Sequence, residues 1–498
     1  MLSSIFLTPP GNPFGLFLLF LLFVLGLAFL FFAKKSHWVI YALLVWFPLE
    51  SLILMYTPIE YVGYVKYAPE IVLYGYIVGS ALSVLIHGTS WRFFSPAMRW
   101  VVIFVGIALL SLLFNWYSVI DWTLGMRQIV RFVIMILAVS WMNYEKKILQ
   151  QILIVGAGMI VLEIVFGIVQ YLAGGALDAY LFSTRTVTIG NAAILGGIEQ
   201  FWIPGSRIFA TMGRYDQFGS FIALGLIMLF PWIYHIKTQK HIAWYTAAGL
   251  FGSIALFLTA SRASWIAAFV GIVTIGIVLR RDARVVRVVA LLLVCVGIYL
   301  TGFALARENV LSITEKPTQS LAERVFESVS IGAWRGSYEG YGRMFFIINT
   351  PRLVVSQYPL FGVGPGRYGG GVAAALLNVE MYEKLHLPFG IQNVYGQIDN
   401  NWMSLWGEVG TFGLLAWGAI LGAIVRMCLF IRRRTHGMFE IALAEGVAGL
   451  TVGVAVIGFF GPYFEFRSLM FYFWTLIGIL TLVWYRERGA FNFLTTSN

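Results

Sequence analysis

Val288-Val289-Ala290-Leu291-Leu292-Leu293-Val294-Cys295-Val296-Gly297-Ile298-Tyr299-Leu300 decides the fold class, and the way the run around it ends shows where function lies. It sits inside an apolar stretch from 286 to 306. A bilayer core needs about 20 apolar residues per helix. Runs of that kind recur near 14–33, 38–56, 68–87, 97–115, 123–142, 148–173, 215–235, 241–258, 263–279, 286–306, 402–430, 440–460 and 467–485. The reading is an all-α polytopic membrane protein of about thirteen spans, twelve to fourteen in range, forming one transmembrane domain over 1–498. The fifth span carries Arg127 and Arg131 in its first half. A barrel is disfavoured, because barrel strands alternate over about 10 residues and these runs do not.

After Ala306 the pattern stops. From Arg307 to Ile398 no stretch reads as a span, and the gap closes on Asp399-Asn400-Asn401-Trp402, where the next span begins. A chain that is otherwise almost all spans and interrupts itself once, late, is expected to bind or react there. The shorter stretch 174–213 reads as a second external loop.

Composition narrows the class further. Of 498 residues, 59% are hydrophobic and 11% charged, against roughly 45–50% and about 25% in soluble proteins. The two cysteines, Cys295 and Cys428, both fall in expected spans, which rules out a disulfide framework or a cysteine metal site. The first span lacks the charged lead and cleavage site of a signal peptide and is expected to stay. The net charge of +11 reads as anchoring charge on the cytoplasmic side rather than nucleic-acid binding.

Basic residues cluster after alternate spans: Lys34-Lys35, Arg92 with Arg99, Lys146-Lys147, Lys237 with Lys240, Arg280 to Arg287, Arg432-Arg433-Arg434, and Arg486 with Arg488. The positive-inside rule then places the N-terminus outside and the C-terminus in the cytoplasm. Sixteen of the 34 basic residues fall outside, and thirteen of those are arginines. Arginine grips phosphate and carboxylate through a planar fork, whereas lysine is a hydrated point charge. The outer face therefore suggests a polyanionic ligand. Arg324, Arg335 and Arg467 read as solvated loop charges. Arg262 sits between two apolar spans with almost no loop, in Thr259-Ala260-Ser261-Arg262-Ala263-Ser264-Trp265. A charge within a span costs about 2.5–3.5 kcal/mol on insertion scales and usually faces a cavity, so Arg262 reads as functional. Arg127 and Arg131, one turn apart, share a helix face. Glu163, in the sixth span, reads either as a partner for an arginine or as an isolated neutral carboxyl.

Within the long loop, Leu321, Val325 and Val329 mark an amphipathic stretch, and Tyr341 to Phe346 a surface helix. Thr350-Pro351 reads as a helix start, a capping residue followed by a first-turn proline, with Pro359 ending that helix. The run Pro359-Leu360-Phe361-Gly362-Val363-Gly364-Pro365-Gly366-Arg367-Tyr368-Gly369-Gly370-Gly371 is not a nucleotide loop, having no Gly-Lys-Ser/Thr and no strand-to-helix context. It reads either as a turn that brings backbone close to a ligand or as a packed turn under the next helix. Asp399, at the mouth of a span and near arginines, is expected to be ionised and either to accept a proton or to cap the helix. Glu408, deeper in that span, is expected to be paired.

These residues resemble the O-antigen ligase and O-antigen polymerase superfamily of bacterial membrane glycosyltransferases. Ser261-Arg262-Ala263-Ser264-Trp265 is similar to its Ser-Arg-Gly-x-Trp span entry. Arg207-Ile208-Phe209-Ala210-Thr211-Met212-Gly213, followed by Asp216, is similar to its arginine-containing lead-in. Arg343 with Tyr358-Pro359-Leu360-Phe361-Gly362-Val363-Gly364-Pro365-Gly366 resembles its Arg plus Pro-Leu-x-Gly-Val-Gly element. Asp399-Asn400 through Leu405 to Glu408-Val409-Gly410 resembles its closing His-Asn-x-x-Leu…Glu-x-Gly element. The likeness covers roughly 200–430. It departs at Asp399, where the ligases have histidine. His386 is the alternative base, 13 residues upstream, and Asp399 is preferred.

The resemblance implies a GT-C-like bundle in the bacterial inner membrane that takes an undecaprenyl-diphosphate-linked glycan as donor on the outer face and inverts the anomeric carbon. In that reading Asp399 is the catalytic base. Arg262 and Arg343, then Arg207 and Arg214, meet the diphosphate. Asn400, Glu408, Arg127, Arg131 and Arg367 support. No cofactor or metal is expected, since the outer loops lack an Asp-x-Asp. Trp334, Tyr338, Tyr341 and Trp402 read as interfacial-belt aromatics. The loop 307–398 is expected to act as a lid. The leading function is polymerisation of lipid-linked repeat units. The alternatives are a ligase handing finished glycan to lipid A core or another acceptor, a lipid-linked oligosaccharide transporter, and a non-catalytic scaffold.

Overall fold

A computed structural model describes residues 26, 30–31, 34–87, 95–181, 187–189, 192–195, 204–235, 238–306, 310, 321–328 and 330–489. Among the described residues, the α-helices of seven residues or more are, in chain order, α1 His37–Tyr56, α2 Val62–His87, α3 Pro96–Asn115, α4 Val119–Val130, α5 Met135–Met142, α6 Lys146–Leu172, α7 Tyr215–Leu229, α8 Gln239–Leu258, α9 Arg262–Val273, α10 Ala283–Ala306, α11 Leu321–Glu327, α12 Ile331–Glu339, α13 Arg343–Asn349, α14 Asn401–Arg434, α15 Met438–Ile457 and α16 Arg467–Glu487. Among the described residues, one antiparallel hairpin, Val187–Ile189 with Ala192–Leu195, interrupts the helical pattern.

Among the described residues, ten helices are long and apolar enough to cross a membrane. The pair α4–α5 makes an eleventh path, bent by 56°. The apolar stretch Ile242–Leu258 in α8 is shorter. Of the thirteen expected spans, these account for all but 14–33, most of which lies outside the described residues. The chain is a multi-pass membrane protein. Its fifth span is the broken one, and the arginines on its first half explain why an unbroken apolar helix does not form there.

Burial ranks the helices. In α16, 94% of the apolar window is buried, so it is the axis of the bundle. Helix α14 runs along α3 and α15, and α9 packs between α7 and α15. None of the α10 window is buried. Its apolar side chains Leu291, Leu293 and Ile298 face outward, the surface that acyl chains solvate.

Local sequence sets the helix starts. Ser95 Oγ accepts from Met98 N at 3.2 Å, with Pro96 in the first turn of α3. Asn400 Oδ1 accepts from Met403 N at 3.1 Å and caps α14. Each satisfies a donor that the first turn leaves unpaired. Thr350 does not start a helix as expected. Helix α13 runs on through a wide turn at Thr350–Val355. Pro351 lacks the N–H that a regular turn needs, and a widened turn is where helices absorb such a loss. The Thr350 hydroxyl instead meets Tyr368 Oη at 2.8 Å.

The long loop has its own small core, built on Phe346, Val354, Tyr368, Tyr382, Phe389 and Ile398. Tyr368 and Tyr382 stack at 5.3 Å. The glycine run joins this core to the bundle. Helix α14 breaks at Gly410, whose φ of 67° and ψ of −172° is open essentially to glycine alone. Thr411 N donates to Pro359 O at 2.9 Å and Phe412 N to Leu360 O at 3.2 Å. Val363 N donates to Gly407 O and Gly364 N to Glu408 O, each at 2.8 Å. Four hydrogen bonds thus leave the helix and stitch 359–364 into it. Of the two readings of the run, the packed turn is the one observed.

Candidate active site

The end of the bundle that carries the long loop gathers four segments: the start of α13, the residues before α14, the lead-in 206–216, and the turn 458–466. Asn401 N donates to Gly458 O at 2.9 Å, and Phe464 N to Asn401 Oδ1 at 2.8 Å. These bonds seat the turn against the first turn of α14 and fix Asp399 just outside it.

Arg343 and Asp399 are partners. Arg343 Nη2 lies 2.6 Å from Asp399 Oδ2 and donates to Phe460 O at 2.6 Å, while Nε donates to Asp399 O at 3.2 Å. Each side chain keeps 32% of its surface exposed, so the pair is held but reachable. Burial pushes the Asp399 carboxyl above the usual carboxylate range, and the Arg343 guanidinium pulls it back only in part. Asp216 and Arg214 are close enough to act on the same carboxyl. Arg214 is forked onto Asp216 at 2.8 and 3.1 Å. That carboxylate raises the pKa of the guanidinium and holds its charge. Tyr463, its phenol pushed up by burial and then by Asp216, hydrogen bonds Ser261 and also faces Asp399.

Arg207 stands out. It is 2% exposed, its guanidinium lies 4.4 Å from the Tyr215 ring centroid, and among the described residues Nη1 and Nη2 have no hydrogen-bond partner. A buried cation left this way is costly, and the natural remedy is an anion.

The other expected residues fall elsewhere. Arg262 Nη2 pairs with Glu327 Oε1 at 2.9 Å and Nη1 donates to Arg324 O at 3.2 Å, so it holds helix α11 against the start of α9. Glu408 Oε1 accepts from Gly366 N at 2.9 Å and Tyr368 N at 3.4 Å. The glycine run therefore wraps a carboxylate of its own chain. Arg367 is buried, pairs with Glu380 at 2.7 Å and stacks on Tyr117. Arg127 and Arg131 both bind Glu70, at 3.0 Å each. Asn400 is the cap already described. His386 is an exposed turn residue with φ of 53°.

Two readings are corrected and an open one is resolved. Arg467 is not a solvated charge: its side chain is 11% exposed and pairs with Glu50 and Glu70. Arg324 is buried as well, and only Arg335 is exposed as expected, paired with Glu339. Glu163 meets Thr211, not an arginine, accepting its hydroxyl at 2.5 Å and its N–H at 3.2 Å. The carboxylates Glu327, Glu465, Glu50 and Glu70 were not singled out in the sequence, since isolated acids in apolar context give no pattern.

The cavity at this end lies beside the Arg343–Asp399 pair rather than on it. Asn401, Ser404 and Glu408 line one side, on one face of α14, and Gln128, Gly370 and Glu465 another. Burial pushes Glu465 up to about 7, outweighing its bonds from Gly371 N and Gln128.

Residues 247–418 match the sequence model of the O-antigen ligase family. Over that stretch the chain is similar to the O-antigen ligase and polymerase superfamily. No curated protein matches it. The matched stretch holds Arg262, Arg343, Asp399 and Glu408, whereas Arg207 and Arg214 lie before it. The match supports an O-antigen ligase or polymerase type of glycan transfer, with lipid-linked glycans as the general class of substrate.

The Arg262–Glu327 pair in this ligase-family stretch has a measurable consequence. Glu327 is almost wholly buried, and removing one partner of such a pair leaves the other uncompensated. Glu327→Gln is expected to release α11 and raise proteolytic cleavage between α10 and α12 about tenfold, the effect of roughly 1.4 kcal/mol on a local opening. Equal cleavage of native and variant protein would show that the pair does not hold the helix.

Proposed function

We propose that the protein polymerises glycan repeat units carried on undecaprenyl diphosphate, at the outer face of the bacterial inner membrane, by metal-independent inverting transfer. The N-terminus then lies outside and the C-terminus in the cytoplasm. The observation that carries the reading is the partly exposed Arg343–Asp399 pair with Arg214 and Asp216 in electrostatic reach.

In the resting state each member of the pair satisfies the other. A donor diphosphate competes for Arg343, being a better bidentate acceptor than one carboxylate oxygen. Drawing the guanidinium towards phosphate frees an Asp399 oxygen for the acceptor hydroxyl. The acceptor O–H proton passes to Asp399 as the acceptor oxygen forms its bond to the anomeric carbon. The bond from that carbon to the diphosphate oxygen breaks on the opposite face, and its electron pair leaves on the lipid diphosphate. Cations beside the departing oxygen stabilise that charge. Arg343 and Arg207 are assigned this role first, with Arg214 beside them. Arg262 joins them when Glu327 is displaced.

Purified protein in proteoliposomes with an undecaprenyl-diphosphate-linked oligosaccharide should give a ladder of products and one free lipid diphosphate per bond formed. Movement of the oligosaccharide across the bilayer with no new glycosidic bond would overturn the reading. The rate should also fall as pH falls through the pKa of Asp399, because only the carboxylate accepts a proton. The raised value places this acid limb above the ordinary aspartate value of about 3.9.

A further inference from the structure

A second group of buried charges lies on other helices at the same end. Glu70 Oε1 is 3.0 Å from Arg131 Nη1 and 3.4 Å from Arg467 Nη2, and Glu70 Oε2 is 3.0 Å from Arg127 Nε. Arg467 also pairs with Glu50 and donates to Lys66 O at 3.0 Å. Lys66 lies within electrostatic reach of Arg467, Arg131 and both carboxylates, yet forms no ion pair among the described residues. The group holds four cations, Lys66, Arg127, Arg131 and Arg467, against two carboxylates. Glu465 turns its carboxyl to Gln128 and Gly371, and its backbone carbonyl accepts from Arg131 Nη2 at 3.1 Å.

The surplus positive charge is hidden from water. Arg131 and Arg467 keep 11% of their side chains exposed. Among the described residues, Arg131 Nε and Arg467 Nε are buried without a hydrogen-bond partner, and Arg467 Nη2 is held only by its 3.4 Å ion pair with Glu70. Arg127 is more open to the surface, at 34% exposed. Exposed apolar residues flank the group in sequence, Tyr61 and Tyr64 before Lys66 and Val119 and Ile120 before Arg127. Uncompensated cations with spare donors beside an apolar surface match an anionic headgroup on a lipid tail.

We propose that Lys66, Arg127, Arg131 and Arg467 form a second lipid-phosphate site, separate from the Arg343–Asp399 centre. Resting on the polymerising reading, which needs two lipid-linked glycans at once, the phosphate belongs to the lipid of the acceptor. The same chemistry is offered by a bulk anionic phospholipid.

Native mass spectrometry of the full chain counts bound lipids directly. With undecaprenyl phosphate as probe, the native protein should bind two molecules. Lys66→Gln should weaken one of them about ten- to a hundredfold, the worth of one charge-assisted hydrogen bond, and Lys66→Arg should keep both. Arg343→Ala should lose the other one. Lys66 forms no ion pair among the described residues, so Lys66→Gln should fold like the native chain, and an unchanged melting temperature checks this. A parallel titration with phosphatidylglycerol assigns the source: Lys66-dependent binding of that lipid alone gives the site to bulk phospholipid. Equal binding of both probes by native protein and Lys66→Gln overturns the proposal. Loss of the Lys66-dependent lipid leaves the polymerase reading to its own product ladder, so the two fail separately.

Discussion

Asp399→Asn is expected to lower the turnover of glycan transfer by about a thousandfold, within the 10²–10⁴ that a positioned general base contributes. The amide fills the same volume and its oxygen still accepts from Arg343, whose anchor on Phe460 O is untouched. Donor binding should therefore persist while the chemical step fails. The measurement is turnover set beside lipid-donor affinity for native and variant protein. Asp399→Glu should recover part of the rate, since it restores the carboxylate one methylene out of place. Asp399→His should do so as well, because the ligases that the chain resembles carry histidine there. A variant that keeps native turnover would remove Asp399 from the chemistry. One that loses donor affinity and turnover together would make it a structural partner of Arg343.

The second large effect concerns stability. Gly410→Ala is expected to cost about 3 kcal/mol or more, near the severe end for a single substitution. Two penalties combine. The backbone there costs a residue with a side chain about 1–3 kcal/mol. An added Cβ would also lie 2.4 Å from Gly362 N and from Leu360 O, backbone atoms that take part in or flank the four-bond junction. The opposing glycine is as tight, since a Cβ on Gly362 would meet the carbonyls of Gly407 and Glu408 at 2.5 Å. The expected result is a melting temperature lowered by several degrees or loss of monodisperse protein in detergent. Ala substitution at Gly418, which lies in the same helix with open space around it, is the control and should be nearly silent. Equal behaviour of the two variants would mean that the junction does not hold the loop to the helix.

The bilayer makes much of this fold legible. It demands about 20 apolar residues per helix, and that demand is written in single continuous runs. The bent path through α4 and α5 was flagged by Arg127 and Arg131 for the same reason. Arg343 and Asp399 were legible because each borders a motif with glycines and a span mouth. What was illegible is pairing. Arg467 looked like loop charge, yet its carboxylates Glu50 and Glu70 come from the first two described helices. Arg262 looked like a free cation because nothing near it in sequence announces Glu327. The glycine run suggested a ligand cradle until Glu408 proved to be its occupant. Hydropathy reports which segments leave water. It does not report which buried ion meets which, because such partners are set by helix packing across hundreds of residues.

The pH dependence of transfer in Arg343→Gln, compared with native protein, tests the central claim most directly. The guanidinium lowers the pKa of Asp399 in the folded protein. Deleting it should slow transfer by about 10²–10³, the cost of removing one preorganised stabiliser of the leaving charge. It should also move the acid limb of the remaining rate to higher pH. A limb that stays where it is in native protein would contradict the account, because the titrating group would then not be the carboxylate that Arg343 holds.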